Sequence, residues 1–103
     1  MTSSEILQRF EVLDTEAEEL CEKISKQQEL IRKLSGLADS IKKPERIHDL
    51  YSYEECRAMS IHGIVSGLIN NLIPLETRIR QINQMRLQLV MLEIKNEFAH
   101  LLE

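Results

Sequence analysis

The sequence predicts an all-α chain, a long antiparallel helical hairpin with coiled-coil-like packing, completed to a bundle by oligomerisation. Three observations predict it. Two seams of apolar residues recur at alternating steps of four and three, the spacing of one helix face. Glycine and proline total only five residues, three and two, so turns are scarce in a chain of 103. No alternating strand pattern, internal repeat or low-complexity segment occurs. The length suits a single helical domain near the small end of what folds alone.

The first helix is expected over about residues 3–41. Its seam is Ile6, Phe10, Leu13, Ala17, Leu20, Ile24, Gln27, Ile31, Leu34, Ala38 and Ile41, with Gln27 the one polar interruption. Thr2 precedes Glu5 by the capping-box spacing and marks the start. Ser35-Gly36-Leu37 offers a possible stop. Ala38 and Ile41 keep the phase, however, and stopping there would leave an unusually long loop. Gly36 is therefore a weak point within the helix.

The connector is expected over 42–52. Pro44 disfavours helix at Lys43, and Ile47 and Leu50 are expected to fold back over the end of the core. Ser52 and Glu55 repeat the capping-box spacing and start the second helix near Tyr53.

That helix is expected over about 53–102. Its seam, Ile61, Val65, Leu68, Leu72, Leu75, Ile79 and Ile82, passes Pro74 without losing phase. Separate helices would have no reason to keep register, so one helix bent at the proline is expected. Gly63, Gly67, Asn70, Pro74 and Thr77 form a line opposite this seam. Glycine there costs up to about 1 kcal/mol relative to alanine, and the small side chains leave a shallow groove that another backbone could approach.

Charge sets the register. Glu11, Asp14, Glu16, Glu18, Glu19 and Glu22 make the front of the first helix acidic, and Arg78, Arg80 and Arg86 stand on the second. Antiparallel closure should place Asp14 level with Arg80 and Glu16 level with Arg78. It should also leave EIKNEFAHLLE, with Ile94, Phe98, Leu101 and Leu102, running past the first helix. In this region Leu87, Met91, Ile94, Phe98 and Leu101 begin a new four-three series. Five residues at about 100° each turn Leu87 roughly 140° away from Ile82. Met85, Leu89 and Leu92 stay near the old face. Residues 85–102 are thus apolar on two faces, which one partner helix cannot cover, and leaving both in water would make a sticky patch.

Composition narrows the function. A net charge of −4 argues against a sequence-independent nucleic-acid binder, and Lys42 and Lys43 are too few for an anionic lipid surface. Cys21 and Cys56 read as reduced thiols of a cytoplasmic or nuclear protein, and MTSSEILQRF has no signal-peptide pattern. Residues 58–75 have no Asp, Glu, Lys or Arg. Ser60, His62, Ser66, Asn70, Asn71 and Pro74 make them too polar for a membrane span, so a buried helix is expected.

Chemistry-bearing patterns are few. His48, His62 and His100 are scattered, and Cys56 and His62 are six apart, which does not place two ligands on one helix face. Glu54, Glu55 and Cys56 cluster at a helix start, where a thiol could be activated, but no histidine stands at helical spacing to act as its base. Met59, Met85 and Met91 lie at core-like positions and suit packing. Gly63 and Gly67 match no phosphate-binding loop or dinucleotide fingerprint. No catalytic residue, metal, cofactor or small-molecule substrate is expected.

In layout, an all-helical chain of this length with a long first helix resembles the small helical chorismate mutases. Their arginines and a lysine project from the long helix into the bundle and bind a dianionic substrate. Here the inward positions include Ile6, Phe10, Leu13, Ala17 and Gln27, while Arg9, Lys23, Lys26, Arg32 and Lys33 fall outside the seam. The resemblance is one of shape, no site is carried over, and a small all-helical enzyme is a remote alternative.

The expected function is a non-catalytic interaction or scaffold subunit. It would assemble through coiled-coil-type packing with itself or with other coiled-coil subunits. Leu87, Met91, Ile94, Phe98 and Leu101 are the expected partner-binding residues, with Gly63 and Gly67 as a second docking face. The alternative is a small helical chaperone, for secretion or assembly, that binds a client segment.

Overall fold

The computed structural model of the chain describes residues 1–41 and 50–102, without the side chains of residues 100 and 102. It is all-α. Helix α1 spans Ser3–Asp39, α2 spans Tyr53–Glu97, and a short α3 spans Ala99–Leu102. The long helices run antiparallel as a hairpin, and its contacts divide into two compact units. The terminal unit comprises Met1–Lys23 and Pro74–Glu103, and the central unit comprises Ile24–Ile73.

Each long helix begins on a side-chain cap. The Glu5 N–H donates to Thr2 Oγ1 at 3.2 Å. At α2 the box is reciprocal: the Glu55 N–H donates to Ser52 Oγ at 3.1 Å, and the Ser52 N–H donates to Glu55 Oε1 at 3.4 Å. Two donors that a helix start leaves unpaired are thereby satisfied, which accounts for a glutamate being buried there. Gly36 lies inside α1 and none of the described glycines has a positive φ, so it does not form a left-handed stop. The helix ends instead on a tighter turn, with the Ile41 N–H donating to the Ala38 carbonyl at 3.2 Å.

In the central unit, Ala38, Ile61 and Val65 form the buried cluster, with Ile31, Leu34 and Ile41 packed against it. Leu72 is buried as well. These are positions of the two seams, and each large side chain so removed from water contributes about 1.5–3 kcal/mol. Gln27 is half-buried, and its Oε1 is shielded from solvent without a hydrogen-bond partner. An acceptor left so costs about 1–3 kcal/mol.

Two expectations change in this unit. Leu50 is 82% exposed rather than folded over the core; Pro44, Ile47 and His48 lie outside the described residues. The uncharged stretch 58–75 buries only its inner stripe, leaving Met59, Ile64, Ile69 and Ile73 exposed. By length and composition α2 could cross a membrane. Its most apolar 18-residue window has mean hydropathy 1.3 and is 17% buried. The physical reason is geometric: one neighbouring helix covers about one stripe, whatever the average hydropathy.

In the terminal unit, Ile6 and Ile82 are almost wholly buried. Phe10, Leu13, Ala17, Leu20, Leu75 and Ile79 are half-buried along the seams. The Asn96 amide donates from Nδ2 to the Met1 carbonyl at 3.1 Å and places the start of α1 level with the last turns of α2. The expected uninterrupted helix to about residue 102 is broken by a turn at Phe98. There the Phe98 N–H still donates to the Ile94 carbonyl at 3.0 Å, and the Leu101 N–H to the Phe98 carbonyl at 2.9 Å.

Candidate protein-interaction surface

Charged contacts fix the register of the terminal unit. Arg78 donates from Nε and Nη2 to the two carboxylate oxygens of Glu16, both at 2.9 Å, the fork geometry that guanidinium and carboxylate share. That hydrogen bonding holds the Glu16 carboxyl below its ordinary value and raises the Arg78 guanidinium. The pairing agrees with the expected register.

The expected Asp14–Arg80 pair does not form. Arg80 donates to Thr77 Oγ1 on its own helix at 3.3 Å. Asp14 Oδ1 lies 3.0 Å from Arg86 Nε. The Arg86 guanidinium sits 4.8 Å from the centroid of the Phe10 ring, a cation–π placement. Arg86 therefore occupies the next seam position after Ile82 by laying its stem and planar head over Phe10. This residue was missed as a structural contact. The available signal was its place four residues after Ile82, within reach of an aromatic seam residue.

Around this register α2 is apolar on two sides. The first side faces a groove of about 650 Å³ lined by the apolar Val12, Leu13, Met85, Leu89 and Leu92 and by Gln8, Arg9 and Gln88. Val12 is exposed there, whereas Leu13, Met85, Leu89 and Leu92 are half-buried. The second side is the outer face. Leu87, Met91, Ile94, Phe98 and Leu101 are all exposed, from 41% for Phe98 to 69% for Leu87, and Val90 lies beside them. Met85 is thus a partial packing residue, while Met59 and Met91 are not core residues of this chain.

Gly63 and Gly67 are exposed on the central unit, and a Cβ at either would meet no other atom within 4 Å. Nothing within the chain requires glycine at these positions. Asn70 and Pro74 are exposed as well, whereas Thr77, expected on the same line, is half-buried.

Among the described residues, no group of three His, Cys, Asp or Glu side chains could hold a metal ion. Cys21 and Cys56 are exposed free thiols. Comparison with protein-family models, with curated proteins and with solved structures gives no match.

Proposed function

We propose that this chain is a non-catalytic interaction subunit, a helical hairpin that joins a homo- or hetero-oligomeric assembly through α2 of its terminal unit. One observation carries the reading: five large apolar side chains recur at helical spacing on a face that α1 leaves open. Burying each would contribute about 1.5–3 kcal/mol, and exposed apolar patches of this kind mark association surfaces. The free thiols at Cys21 and Cys56 suit a reducing compartment, cytoplasm or nucleus. The net charge of −4 favours protein over nucleic acid as the partner.

A photo-reactive residue placed at Met91 tests this reading. The expected result is a covalent adduct with another polypeptide of discrete mass, reduced when Ile94→Glu is added. No adduct at any concentration, with the helices intact by circular dichroism, would overturn it.

The groove favours a second reading, a small chaperone whose groove takes an amphipathic client helix transiently. A photo-reactive residue at Val12 separates the two. A chaperone would give adducts with several clients, and a fixed subunit would give one or none.

A further inference from the structure

We propose that the outer face of α2 in the terminal unit is a homotypic interface. Two copies of this chain meet antiparallel about a two-fold axis that passes between Met91 and Ile94. The proposal rests on the interaction-subunit reading and names its partner.

Leu87, Met91 and Ile94 of α2, with Phe98 at the turn that ends it, are spaced four, three and four apart, an order that reads the same in both directions. A two-fold axis at its centre sets Met91 against Ile94 of the second copy, and Leu87 against Phe98. Antiparallel helices meet in such layers, each position facing its mirror partner.

The flanks of the stripe are compatible with this pairing. In an antiparallel pair each flank faces the same flank of the other helix. Lys95 therefore comes beside Gln88 of the second copy, and Glu97 beside Val90, so no like charges are opposed. The acidic front of α1 argues for the same direction. Because Met1 is level with Asn96, the axis crosses near the first turn of α1. From there the two α1 helices run away from each other, and Glu11, Asp14, Glu16, Glu18, Glu19 and Glu22 of the two copies separate. A parallel pair would hold these carboxylates level along its length.

Covering Leu87, Met91, Ile94, Phe98 and Val90 on both copies removes on the order of 1,000 Å² from water, the lower edge of specific interfaces. The dimer should accordingly be weak and reversible.

Sedimentation equilibrium of the full chain, from low micromolar to near-millimolar concentration, tests the proposal. The expected result is a monomer–dimer equilibrium that Ile94→Glu shifts to monomer while the helical circular dichroism is unchanged. Gln88→Glu should tighten the dimer about two- to tenfold by facing Lys95 twice across the axis, and Gln88→Lys should weaken it by a similar factor. A monomer throughout would overturn the proposal, as would a dimer indifferent to Ile94→Glu. Equal effects of the two Gln88 variants would overturn the antiparallel register. A monomer that still yields a photo-adduct with a different protein at Met91 sinks the homotypic proposal and leaves the interaction-subunit reading standing.

Discussion

Two stretches near the two ends of α2 differ in what their outer faces hold. In the central unit, the line opposite the seam holds Gly63, Gly67, Asn70 and Pro74. In the terminal unit, the outer face holds Leu87, Met91 and Ile94, and the stripe goes on past the end of α2 to Phe98 and Leu101. Average hydropathy ranks the first stretch as the more membrane-like, yet the second presents the continuous apolar stripe. The angular placement of side chains, and not their mean hydropathy, decides which face a helix leaves apolar and open.

The largest expected effect tests whether inner and outer faces of one helix are energetically distinct. Ile82→Ala should cost about 2–5 kcal/mol, because it empties a wholly buried site. Leu87→Ala should change the stability of the monomer by less than about 0.5 kcal/mol. Urea denaturation at a concentration too low for dimers measures both. Similar losses would dissolve the distinction.

A smaller effect of opposite sign is expected on the glycine face. Gly67→Ala should raise stability by up to about 1 kcal/mol, since the new methyl meets open space and helical alanine is favoured. A loss instead would show that this face is covered in the folded protein.

The smallest effect concerns the charged register. The Arg78 hydrogen bonds lower the folded Glu16 carboxyl below its ordinary value of 4.5. The pair therefore contributes above that value, and its contribution is lost as pH falls through the lowered one. Thermal midpoints measured through this acid range should fall less steeply for Glu16→Gln than for the unaltered chain. Added salt should narrow the gap between them, because both side chains are well exposed. Identical slopes would remove Glu16 from the account of register.

Much of the fold was legible in the sequence. All eleven positions of the first seam and all seven of the second are buried or half-buried, because step periodicity reports directly on the covered face. Both caps were legible for the same local reason. The Glu16–Arg78 pair followed from register alone. Arg86 did not, because its long side chain reaches diagonally to Asp14 and Phe10 rather than to the level position. The turn at Phe98 has no glycine or proline to announce it. The exposure of Met59, Ile64, Ile69 and Ile73 depends on how few neighbours α1 supplies, which periodicity does not count. The outer face of residues 87–101 was read from its change of phase relative to Ile82, and the structure places those side chains in the open.

The cross-helix contacts also differ in how far along the chain they reach. Ala38 clusters with Ile61 and Val65, 23 and 27 residues further along the chain, whereas Arg78 and Glu16 are 62 residues apart and Asn96 and Met1 are 95 apart. Closing a short loop costs less chain entropy than closing a long one. The pairing nearer in sequence is therefore expected to form first. The ends should then close last and fray first, with amide exchange fastest near Met1 and Asn96. The stripe offered to a second copy sits on this late-closing end.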